Sequence, residues 1–153
     1  MSKYQKILKI IAECDDEKKL RNWIANARRE GVGEVEDAAR RRFVEVRAAK
    51  DIDDLNDPIV LDFWKSITAL EYELSEERGK TIRLSRTRQK IARVGVEKTL
   101  ADLALQAQPS EGFFLLKARD MLDLSAEAVV LRFPERFEQI VVEAARQRLT
   151  SKT

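Results

Sequence analysis

Apolar residues recur along most of this chain at intervals of three and four, the spacing that gathers them on one face of an α-helix. Tyr4, Ile7, Leu8 and Ile11 predict a first helix over 2–13. Leu20, Trp23, Ile24 and Ala27 predict a second, with Asp15 or Asp16 as its N-cap and Gly31 as the left-handed residue that closes it. A third, over 34–50, turns Val35, Ala38, Ala39, Phe43 and Val46 inward and leaves Arg40, Arg41, Arg42 and Arg47 largely outside.

Residues 51–57 read as an acidic connector. Asp57 followed by Pro58 is a strong helix start, because proline has no amide hydrogen to leave unbonded at the first helical position. Val60, Phe63, Trp64, Ile67, Leu70 and Leu74 then predict a long helix over about 58–78, expected to be the spine of the core. From 80 to 94, Leu84, Thr87, Ile91 and Val94 repeat at three, four, three, and Gly95 bends the path before a helix over 96–107. Ser110 caps a short helix bearing Phe113, Leu116 and Met121, and Ser125 caps another bearing Ala128, Val129 and Leu131. Pro134 opens the last, whose face is Phe137, Ile140, Val141, Ala144 and Leu149. The expected class is therefore all-α: an irregular bundle of about seven helices built round the long helix 58–78. Its organisation reads as a single helical domain 1–153, with a possible N-terminal subdomain 1–50 joined through 51–57 to a main region 58–153.

Composition strengthens the helical reading. Only 5 glycines and 3 prolines interrupt 153 residues, and they fall between the periodic segments. Hydrophobic residues make up 44% against 37% charged, too apolar for a disordered chain. One cysteine, Cys14, excludes an internal disulfide. No run approaches the roughly 18–20 apolar residues that span a bilayer, and Lys9 interrupts the short apolar stretch 7–12 that a secretory leader would need. The expected compartment is the cytoplasm, with no membrane partner.

Charge changes the picture locally, not globally. The net charge is only +2, yet segment 78–98 carries Arg78, Lys80, Arg83, Arg86, Arg88, Lys90, Arg93 and Lys98 against the single acid Glu97. Arg83, Arg86, Lys90 and Arg93 follow the rhythm of Leu84, Thr87, Ile91 and Val94, displaced by one residue or about 100°. One stripe can pack while the neighbouring one faces water, with Ser85 and Gln89 as added hydrogen-bonding groups. Such a stripe suits nucleic-acid phosphates, duplex DNA above all, in a DNA-binding or regulatory protein. The alternative is a protein–protein interaction module, an adaptor or inhibitor that grips an acidic protein. A third account is plainer: Glu71, Glu73, Glu76 and Glu77 of the preceding helix pair with the cations as a solvated ion-pair surface.

Other features weigh less. A helix-turn-helix over 89–105 has only Gly95 for a turn that ordinarily takes three or four residues. Arg28, Arg29, Arg40, Arg41 and Arg42 are diluted by Glu30, Glu34, Glu36 and Asp37. Trp23 and Trp64 fall on apolar faces and read as core, and the lack of interleaved aromatics, with only Tyr72 near the stripe, disfavours a single-strand binder. Phe113 and Phe114 are adjacent and cannot share one core face, so one of them is a candidate partner or homodimer contact.

Catalysis is limited by what the chain lacks. Without histidine there is no Ser-His-Asp triad, no His-bound zinc and no two-His iron site, and one cysteine makes no thiolate cage. Asp57, Asp62 and Lys65 resemble a carboxylate nuclease set only in composition: Asp57 is a cap, and Asp62 with Lys65 is a surface pair. Asp51, Asp53, Asp54, Asn56 and Asp57 fail as a calcium loop, with Leu55 at position five and Asn56 at six. No catalytic residue, metal or cofactor is assigned. Cys14, among Glu13, Asp15 and Asp16, reads as half-buried and structural.

Overall fold

The computed structural model describes residues 3–50 and 57–151. The acidic connector and the residues compared with a calcium loop, apart from Asp57, lie outside that range, as does Ser2. All nine α-helices among the described residues are joined without a strand, so the protein is an all-α helical bundle. It divides into two compact units, Met1–Ile52 and Asp53–Thr153.

The first unit holds α1 (Gln5–Glu13), α2 (Glu17–Glu30) and α3 (Gly33–Lys50). Asp16 caps α2 by accepting hydrogen bonds from the Lys18 and Lys19 amides at 2.9 and 3.2 Å. Gly31 ends the helix in the left-handed conformation, φ 72°. Ile11, Leu20, Ile24, Val35, Ala39, Phe43, Val44 and Ala48 form the core. Val44 and Ala48 replace the expected Ala38 and Val46 because the buried face of α3 advances by four residues per step.

The second unit holds α4 (Pro58–Arg78), α5 (Ser85–Val94), α6 (Val96–Leu105), α7 (Glu111–Ala118), α8 (Ala126–Arg132) and α9 (Gln139–Thr150), with 3-10 turns at Leu122–Leu124 and Pro134–Arg136. Local chemistry starts the helices. Asp57 caps α4, Ser110 accepts from the Phe113 amide at 3.1 Å, and Ser125 accepts from the Ala128 amide at 3.1 Å. Ile59, Phe63 and Ile67 of α4 join Leu100, Val129, Val130, Val141 and Val142 in one core, each such side chain contributing about 1.5–3 kcal/mol by leaving water. The long α4 is one wall of this core. The short α8 packs on α4, α6 and α9 and on both 3-10 turns, so the centre is shared between a long helix and a seven-residue one.

Two boundaries differ from the periodicity. Pro134 opens a 3-10 turn, and α9 begins only at Gln139. The helix expected from 80 begins at Ser85, for reasons given below.

Gly95 alone joins α5 to α6, at φ 91° and ψ 170°, a region essentially closed to residues with a Cβ. Its amide donates to the Ile91 carbonyl at 2.8 Å, and its own carbonyl accepts from the Thr99 hydroxyl at 2.8 Å. Among the described residues, beyond Gly95 and its chain neighbours, no atom lies within 4 Å of where a Cβ would stand, so the constraint is the backbone itself. Gly95→Ala is expected to destabilise the protein by about 1–3 kcal/mol, measured as a lower urea midpoint.

Candidate functional site

The basic segment is organised by two acceptors on the last turns of α4. Gly79, at φ 67°, ends that helix. The Ser75 hydroxyl then accepts from the Ile82 amide at 2.8 Å, and Glu71 Oε2 accepts from the Leu84 amide at 2.8 Å. These side chains hold residues 79–84 in a non-helical path, which is why α5 starts late. A carboxylate at the first turn of α5 also suits the positive end of the helix dipole.

Glu71 engages Arg88 as well, receiving Nε at 2.7 Å and Nη2 at 2.6 Å in a two-point clasp. The guanidinium lies over the Trp64 ring, 5.0 Å from its centroid. Arg88 therefore belongs to the packed side of α5, and Trp64 is its platform.

Three more of the eight cations have carboxylate partners. Arg78 reaches Glu111 at 2.6 Å, while Lys90 and Lys98 share Asp102 at 2.5 and 2.9 Å. Lys80, Arg83, Arg86 and Arg93 are exposed and, among the described residues, have no carboxylate within ion-pair distance. Lys80 and Arg83 stand on the non-helical stretch. Arg86 and Arg93, with Gln89 between them, share the outer face of α5, two helical turns apart. The acids of α4 are mostly occupied elsewhere: Glu73 binds Arg119, and Glu77 lies 3.9 Å from the same guanidinium.

A second ion cluster joins the N-terminal ends of α4 and α6. Arg136 donates to Glu97 at 2.6 Å and to both Asp57 oxygens at 3.0 and 3.2 Å. The Arg136 hydrogen bond, aided by the Ile59 amide, holds the Asp57 carboxyl below the usual carboxylate range. Lys90 and then Lys98 do the same for Asp102, and Asp57 and Glu97 raise Arg136. A carboxyl group with a lowered folded-state pKa contributes stability above its unfolded value, near 3.9, that disappears as pH falls through the folded value. The urea midpoint is therefore expected to fall as pH drops from about 5 to about 3, and more shallowly in Asp57→Asn/Asp102→Asn.

The remaining candidates divide cleanly. Phe113 is buried and Phe114 is 49% exposed, their rings edge to face at 5.9 Å. In the first unit Arg28 and Arg40 bind Glu36, Arg41 binds Asp37, and Arg42 binds Glu45 and the Cys14 carbonyl. Arg29 donates to Asn26 at 2.9 Å. Tyr72 and both tryptophans are half-buried. No helix among the described residues is long and apolar enough to cross a membrane.

Periodicity did not reveal Glu71 or Arg136 as organising residues. Each acts on residues brought near by tertiary packing, 17 positions away for Glu71 and Arg88, 79 for Arg136 and Asp57. The one local signal was Glu71 itself, an acid just ahead of the basic segment. Protein-family models, curated proteins and solved structures give no match to this chain.

Proposed function

We propose that the unit Asp53–Thr153 binds a nucleic-acid duplex, DNA in the first instance, along its phosphate backbone, as a DNA-binding or regulatory protein. The observation that carries this reading is the set Lys80, Arg83, Arg86 and Arg93, four exposed cations with no carboxylate partner among the described residues. Half of the original segment is thereby set aside: Arg78, Arg88 and Lys90 pair with carboxylates of other helices, and Lys98 with Asp102 of its own helix. Arg86 and Arg93 are about 10 Å apart along α5, far enough to meet different phosphates of a duplex. Gln89 between them is a neutral donor and acceptor. With few exposed aromatics beside these cations, contact is with backbone, not stacked bases. Free Cys14 suits a reducing cytoplasm.

The alternative, a protein-interaction module for an acidic partner, is favoured by a different feature: Phe114 and Leu105, 49% and 45% exposed, line one groove. Capture from lysate with and without nuclease separates the two. Nucleic-acid binding predicts that the retained material is lost on nuclease treatment and that Phe114→Ala changes nothing. A retained protein that survives nuclease and is lost in Phe114→Ala contradicts it.

A further inference from the structure

Beside α5 and unrelated to its charged face, the second unit carries a partly open pocket of about 230 Å3. Its wall is mainly apolar, with Phe63, Ile67 and Leu70 of α4, Leu84 at the start of α5, Leu103 of α6 and Phe113 of α7. A concave pocket lined mainly by apolar side chains, with a few polar groups among them, is the usual form of a small-molecule site. An apolar cavity of about 150 Å3 already stays dry and admits benzene, whereas drug-sized ligands need about 300 Å3 or more. Size alone therefore selects a single aromatic ring with a small substituent, or an aliphatic molecule of similar bulk.

The polar wall groups decide the rest. Ser125 donates to the Leu122 carbonyl at 2.7 Å, Ser110 caps α7, and Glu127 is held by Arg148 at 3.1 Å. Ser66 differs. It lines the pocket, is 1% exposed, and its Oγ has no hydrogen-bond partner among the described residues, whereas Thr87, the remaining hydroxyl of the wall, is only half-buried. A buried hydroxyl left unbonded is unfavourable, and a serine hydroxyl can serve as donor or acceptor as its hydrogen turns about the Cβ–Oγ bond. Exposed Ser110 and Glu111 on the rim mark the opening to solvent.

We propose that this pocket is a binding site for a small, largely apolar molecule bearing one hydrogen-bonding group, which Ser66 engages. Phenol and benzene are suitable probes, titrated into the full-length protein and followed by two-dimensional amide NMR. Both are expected to give saturable shifts at Ser66, Leu70 and Leu103. The ratio of phenol to benzene affinity is expected to fall roughly two- to twelve-fold in Ser66→Ala, the worth of one hydrogen bond. Ala126→Leu, which adds bulk to the wall, is expected to weaken both. Failure of either probe to saturate, or a phenol preference unchanged in Ser66→Ala, overturns the proposal. Neither outcome depends on the phosphate-binding reading.

Discussion

Arg148→Met is expected to lower the unfolding free energy by about 3–5 kcal/mol, the largest loss foreseen for any single charged residue here. The reason lies in what the guanidinium leaves behind. Arg148 is 11% exposed and its partner Glu127 only 5%, joined at 3.1 Å. Arg148 also donates to the Leu103 carbonyl at 2.9 Å and to that of Gln106, closing the C-terminal end of α6, whose last carbonyls have no intrahelical partner. Methionine fills much of the volume but satisfies none of these acceptors, so a buried carboxylate is stranded. Glu127→Gln on the Arg148→Met background removes that charge and should recover part of the loss. Arg146→Met, whose pairing with Glu143 is 54% and 46% exposed, should cost no more than about 1 kcal/mol. Urea unfolding of the three variants checks the set; a loss below about 1 kcal/mol for Arg148→Met would show that the buried pair is not holding α6.

The combined variant Arg83→Ala/Arg86→Ala/Arg93→Ala should weaken duplex binding on the order of 10^2–10^3-fold at roughly 0.1 M salt, since each phosphate contact releases close to one counterion. None of these three side chains makes an ion pair among the described residues, so stability should change little. This separates them from Arg88, whose removal strands Glu71 and loosens the start of α5. Removing three arginines of the first unit, Arg28, Arg29 and Arg41, lowers the net charge equally. If local placement matters more than overall charge, affinity should then fall by less than about threefold. Equal losses in the two triple variants would mean that total charge, not the face of α5, governs attraction. Fluorescence anisotropy with a labelled duplex reads both.

Helix starts and stops were legible because their causes are local. Asp57–Pro58, Ser110, Ser125, Gly31 and Gly79 each act within a turn of their own position. That Phe113 and Phe114 do not share one core face followed from helical geometry, while which of them is exposed came only with packing. Residues 80–84 misled because Leu84, Ile91 and their neighbours keep helical spacing, while Ser75 and Glu71 take two of the amides that a helix would need. Arg88 misled for a related reason: its phase on α5 points inward, and only a folded partner, Glu71 with Trp64 beneath, makes that tolerable for a cation. Glu127 and Ser66 are polar residues on otherwise apolar faces, and only packing shows one to be paired and the other to line a pocket.

A salt titration of duplex binding by the unaltered protein bears most directly on the four exposed cations as the contact surface. With Lys80, Arg83, Arg86 and Arg93 each meeting one phosphate, the logarithm of the affinity should fall against the logarithm of salt concentration with a slope of about −3 to −4. A slope near zero, or the absence of measurable duplex binding at low salt, would contradict the account.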